Sequence, residues 1–224
     1  MLAANRDERL DRAWDPPGPH WPERPGVMAG RDRLGGGTWM AARRGLVAAV
    51  LNRPGSLGPA SGKLSRGDLP LLAAGHASAI DAARAIGALD AGAYRSFNMV
   101  IADRGEALFV RGLGDGQPEI TALTPGVHMV TAHDPDNMAS PRVARHLPRF
   151  RAATAPDTDG WVAWRTLLAD GSGPGGSELN VTARGGFGTV CASLLSIGRE
   201  DATEWLFAAG PPDTVAFRPV ALPV

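Results

Sequence analysis

Three apolar residues, Leu2-Ala3-Ala4, run directly into Asn5-Arg6-Asp7-Glu8, and this junction constrains the fold more than any other stretch of the chain. An amide, a guanidinium and two carboxylates stand side by side, with more charge at Arg9, Asp11 and Arg12. The run reads as the end of a buried strand that delivers a polar constellation to a fixed place in a sheet. A lone four-residue strand has no partner before it, so the pattern also suggests a chain that starts late. Two readings fit the residue types. One is an ordinary charged strand end with an internal ion pair, which is common and weak. The other needs Arg6 to be desolvated, where a guanidinium can orient a carboxylate or substrate anion through paired hydrogen bonds.

The rest of the chain supplies short apolar runs divided by turns. Gly36 to Ala42 and Leu46 to Asn52 flank Arg43-Arg44-Gly45 as a β-hairpin. Phe97 to Ala102 and Ala107 to Val110 do the same around Asp103-Arg104-Gly105. Glu119 to Leu123, Val127 to Thr131, Gly188 to Ile197 and Thr203 to Ala208 read as further strands. Residues 9 to 35 carry five prolines and two tryptophans, Trp14 and Trp21, and read as an extended ordered loop pinned by those rings. Helices are expected from a capping box at Ser65 to Asp68 as far as Gly75, from Ser78 to Leu89, from Ser140-Pro141 to Phe150 and from Trp161 to Ala169. Hairpins alternate with helix pairs, without a repeat or a linker. The expectation is one domain over residues 1–224, α/β in the α+β sense, with antiparallel sheets and helices outside.

Length and composition narrow the partners. A chain of 224 residues has room for a sizeable core. Lys plus Arg and Asp plus Glu number 23 each, so no net field favours nucleic acid or anionic lipid. The single cysteine, Cys191, rules out an internal disulfide framework, fits a reducing, cytoplasmic compartment, and lies in an apolar run as a packed core thiol. No apolar run approaches the roughly 20 residues that span a bilayer. The five histidines show no ligand spacing, so no metal is expected. His133-Asp134-Pro135-Asp136-Asn137 is better explained as a turn than as a cation site. Gly35-Gly36-Gly37-Thr38 lacks the Lys-Ser/Thr end of a phosphate loop. Asn52 either initiates a turn, the stronger reading by itself, or aims an amide into a cleft as an oxyanion hole requires.

Several segments, in order over nearly the whole chain, resemble the NRDE family, which includes the transport and Golgi organisation protein 2 homologues. They are Leu2 to Glu8, Ala29 to Asp32, Gly36 to Trp39, Gly45 to Asn52, Ser65 to Gly67, Ser96 to Asp103, Leu123 to Gly126 and Phe187 to Thr189. The resemblance implies the αββα sandwich of N-terminal-nucleophile hydrolases. It implies Arg6, Asp7 and Asn52 as catalytic support, and hydrolysis of a linear C–N amide bond through a thioester. Asn5, Glu8, Trp39 and Arg53 are expected to contact the ligand. The chain departs from the pattern at its start, where removing Met1 would expose Leu2 and no Cys, Ser or Thr. The expectation is therefore an N-terminally shortened domain, unable to catalyse as given, whose Met-Cys strand lies upstream. Ala132 also stands where many members carry the Asn of a Ser-Asn pair.

The resemblance leaves three functions open. The first is amidase activity of the N-terminal-nucleophile type. The second is a carrier for haem or an acyl lipid, matching a link of eukaryotic relatives to haem trafficking and lipid homeostasis. Trp14, Trp21 and Trp39 would ring its cleft, and Arg6 would meet a carboxylate. The third is a catalytically dead relative. Partners are accordingly a small-molecule amide, lipid or haem ligand, without nucleic acid, membrane span or resident cofactor. Arg6 and Asn52 are expected to converge on one pocket floor.

Overall fold

A computed structural model describes residues 1–156 and 160–222. Two antiparallel sheets face each other. The smaller contains β1 (Leu2–Arg9), β9 (Phe187–Ile197), β10 (Thr203–Ala208) and β11 (Arg218–Pro219), in that spatial order. The larger runs in sequence order through β2 (Trp14–Gly18), β3 (Met28–Asp32), β4 (Met40–Arg43), β5 (Leu46–Asn52), β6 (Phe97–Ala102), β7 (Ala107–Gly112) and β8 (Glu119–Leu123).

Strand periodicity explains the layering, because alternate residues face opposite sides. In β5 and β6, Leu46, Ala48, Phe97, Met99 and Ile101 pack on α1 (Asp68–Ala73) and α2 (Ala79–Gly87). Val47 and Ala49 instead meet Leu195 and Trp205 of the smaller sheet. Leu194 and Leu206 point away from that interface, toward Phe150 of α3 (Pro141–Ala152) and Leu167 and Leu168 of α4 (Val162–Leu168). Four layers result, helix–sheet–sheet–helix, and the chain is an α+β sandwich as expected. Among the described residues no helix is long and apolar enough to cross a membrane.

Some local expectations need correction. Residues 9 to 35 are not a loop, since they contain β2 and β3. Pro16 and Pro17 are tolerated because β2 is an edge strand whose pairing with β3 breaks between Asp15 and Gly18. Val127 to Thr131 is not a strand. Side chains take its backbone groups instead: Met129 N–H donates to Asp136, and Thr131 C=O accepts from Asn98. The first helix starts at Gly67 without a side-chain cap, because Ser65 Oγ accepts from the Gly67 N–H of the turn before it. Ser78 and Ser140 do cap α2 and α3. The polar motif Asn5 to Glu8 lies inside β1 rather than beyond its end, paired along β9.

Candidate functional site

The four polar residues of β1 split by the two-residue period of the strand. Asn5 and Asp7 face the helical layer. The Asn5 amide donates to the carbonyls of Leu168 at 2.9 Å and Leu179 at 2.8 Å, tying β1 to the end of α4. Asp7 accepts from Arg142 of α3 at 3.1 Å and from the Thr189 hydroxyl at 2.7 Å. Both fasten the smaller sheet to its helices. Arg6 and Glu8 face the other sheet.

Arg6 is the anomaly. Its side chain is 9% exposed, and its Nη2 lies 3.5 Å from both Glu8 and Asp32, at the limit of a hydrogen bond. Asp32 is held more closely by Arg12, at 2.6 Å. The guanidinium stacks 4.4 Å over the Trp39 ring, and Arg6 Nη1 is buried with no partner. Burial pulls the Arg6 pKa below its usual value, opposed by the nearby Cys191, Glu8 and Asp32. A buried N–H without an acceptor is expensive and rare in a native structure, so it asks for an explanation.

An apolar wall adjoins this charge. Trp39 meets Trp14 edge to face at 5.9 Å, and Trp14 meets Phe207 at the same separation. Val190 and Cys191 complete the cluster. The pairing of β9 with β1 slips between Arg6 and Asp7, leaving Val190 unmatched, so Val190 and Cys191 both join this wall while Thr189 turns to Asp7. Trp21, expected in the same ring, packs elsewhere with Val27, Ala41 and Leu71. Trp39 lies flush on β3 because residue 30 is glycine; a Cβ there would overlap the indole.

Asn52 and Arg53 turn to opposite faces of the larger sheet. Asn52 pairs with Phe97, on the helix-facing side of the larger sheet by strand alternation, and is exposed. No hydrogen bond or ion pair joins it to Arg6 among the described residues. Arg53 turns to the other side. It donates to the buried Asn98 at 2.5 Å and to Asp134 at 2.7 Å, and Asp134 also accepts from Arg111 at 2.6 Å. The Asn98 amide donates to the carbonyls of Thr131 and His133, so it shapes the loop that holds Ala132. The structure therefore keeps Arg6, Trp39 and Glu8 together, turns Asn5, Asp7 and Asn52 to the helical sides of their sheets, and ties Arg53 to Asn98 and Asp134.

One hydroxyl lies beside a histidine that is itself paired with a carboxylate. His128 Nδ1 lies 2.7 Å from Asp136, and its Nε2 lies 3.4 Å from the Thr124 hydroxyl. The residue types are those of a Thr–His–Asp triad. Yet Nε2 is closer to the Thr124 carbonyl, at 2.8 Å, and must donate there. No lone pair is left to take the hydroxyl proton, so His128 staples a turn. Burial pushes the Cys191 thiol up to about 12, far from a nucleophilic thiolate. Among the described residues no group of three or more His, Cys, Asp or Glu could hold a metal ion.

Compared with known families, residues 1–161 match the model for Transport and Golgi organisation 2. The chain belongs to the Transport and Golgi organisation 2 family. No curated protein matches it significantly. The family match includes Arg6, Asp32 and Trp39, whereas β9 and β10, which supply Val190, Cys191 and Phe207, lie beyond it. In this Transport and Golgi organisation 2 domain, Asp32 and Arg12 beside Arg6, Phe207 beside Trp14 and Asn98 beside Arg53 are residues that residue-by-residue reading did not single out. Asp32 and Asn98 do fall within family-like segments, which is the signal that could have found them. Phe207 carries no such mark.

Proposed function

We propose that this domain binds an amphipathic carboxylate of the haem or long-chain acyl class between its sheets, with Arg6 as the counter-ion. The observation that carries this reading is the buried Arg6 Nη1 without an acceptor, stacked on Trp39. A ligand carboxylate would supply that acceptor in a low-dielectric setting, where such a bond is strong. Trp39, Trp14 and Phe207 would line the apolar part of the ligand. The neighbouring ion pairs Glu8–Arg6 and Arg12–Asp32 leave the cluster neutral, so an incoming anion meets no net repulsion.

A second reading is amide hydrolysis on an N-terminal-nucleophile scaffold, favoured by the four-layer architecture. It requires an activated nucleophile, and neither Cys191 nor Thr124 is one.

The test is titration of haem, followed by the Soret band, and of a fluorescent fatty acid, on the wild type and Arg6→Met. A charge-assisted hydrogen bond is worth about 1.5–3 kcal/mol, so binding should weaken roughly 10- to 100-fold in the variant. Equal binding by both proteins, or none by the wild type, overturns the carrier reading. Turnover of a linear N-acyl substrate by the purified chain supports the second.

A further inference from the structure

A cavity of about 400 Å³ opens beside Trp14, between residues 180–183 of the loop before β9 and Pro211, Asp213 and Thr214 after β10. It meets three conditions for a ligand site that are independent of Arg6. Its size falls within the range of small-molecule pockets. It lies at the bulge that displaces Val190, and bulges gather beside binding sites. It also contains an unanswered polar group, because Asn180 is 5% exposed and its Oδ1 has no partner.

The polar groups of the lining decide the chemistry. The Thr189 hydroxyl is spent, donating to Asp7 and accepting from the Val181 N–H. The Thr214 hydroxyl donates to the Pro211 carbonyl. What remains free is the Thr182 hydroxyl, the Asn180 amide and the Asp213 carboxylate, which forms no ion pair among the described residues. All three can accept, and the one charge among them is negative. The aromatic wall is Trp14, whose indole attracts cations. Leu10, Val190 and Pro211 supply apolar surface for a short organic substituent.

From this arrangement we infer that the cavity is a binding site for a small organic ammonium. The N–H donors of such a ligand satisfy Asn180 and Asp213 while its body packs on Trp14. The site shares Trp14 and Val190 with the wall beside Arg6 but not Arg6 itself, so Arg6→Met distinguishes it from the carboxylate site proposed there.

Calorimetric titration with three ring-matched probes, benzylamine, benzyl alcohol and benzoate, tests the assignment. Benzylamine should bind most tightly. Asp213→Asn should weaken it about tenfold, and Asp213 is exposed, so this variant keeps its fold. Trp14→Leu should weaken it too, and Arg6→Met should leave it unchanged. Benzoate binding as tightly as benzylamine, indifference to Asp213→Asn, or no heat from benzylamine up to about 10 mM would each overturn the inference.

Discussion

Arg6 and Trp39 join the two sheets at one point, with the guanidinium of β1 stacked 4.4 Å over an indole that precedes β4. A charge this buried, with one N–H unanswered, is a poor choice for stability, since apolar replacements of buried ions are often neutral or stabilising. Arg6→Met keeps the length of the side chain and removes the orphan. Urea denaturation should place the variant within about 1 kcal/mol of the wild type, or above it. A loss beyond about 3 kcal/mol would make Arg6 a structural residue and deprive the binding proposal of its basis.

Asn5 should behave in the opposite way. Its amide serves two carbonyls at the end of α4 and in the following loop. Asn5→Leu strands both, at about 2–4 kcal/mol, and Asn5→Asp should be worse because it sets a carboxylate against two carbonyl oxygens. Carboxylate-ligand affinity in the surviving folded fraction should stay the same. If Asn5→Asp were the milder change, the assigned hydrogen bonds would be wrong.

Gly30 and Trp39 are sterically coupled. A methyl group at position 30 enters the indole ring, so Gly30→Ala should cost about 1–3 kcal/mol. In a Trp39→Leu background the same change should cost less, and a double-mutant cycle reads the difference. Additive costs would refute the contact.

Cys191 should resist alkylation. Burial holds its thiol at about 12, against an ordinary 9.0, with the charge of Arg6 pulling the other way. Iodoacetamide at neutral pH should therefore label the protein only as fast as it unfolds. The sign of the pH effect follows. The folded state keeps the thiol proton that the unfolded chain releases, so stability falls as pH rises from about 9 toward 12, and Cys191→Ala should flatten that limb.

Asp15 sets a limb at the acid end. A hydrogen bond from Arg33, supported by Arg31, holds its carboxyl at about 2, against an ordinary 3.8, despite partial desolvation. Its contribution is present above pH 3.8 and is lost as pH falls toward 2, because the unfolded chain takes up the proton first. Asp15→Asn should lower stability at neutral pH and remove that slope, as acid titration of the unfolding midpoint would show.

Hairpins were the most legible part of the fold. β4–β5, β6–β7 and β9–β10 each join apolar runs through a short turn, so local chemistry specifies both strands and their pairing. The caps Ser78 and Ser140 likewise mark their helices. β2 escaped because its prolines argue against a strand, and only its edge position permits them. The segment Val127 to Thr131 has strand-like residues but finds its hydrogen bonds in Asp136 and Asn98, which are distant in sequence or beyond a turn. The site was half legible. Arg6 stood out by type, and Trp14 and Trp39 by size. That Trp21 packs apart from them could not be seen in the chain order.

The amino-acid order alone determined that β1 would carry an amide, a guanidinium and two carboxylates in succession, and that hairpins and capped helices would surround it. Those features follow from local backbone preference and short-range hydrogen bonding. Which of the four faces the other sheet was decided only when β1 paired with β9 and the two sheets closed. Alternation along a strand fixes relative facing, but the side that becomes interior depends on contacts between residues far apart in sequence. Those contacts put Arg6 over Trp39, sent Asp7 to Arg142, and turned Asn52 to the helix-facing side of the larger sheet.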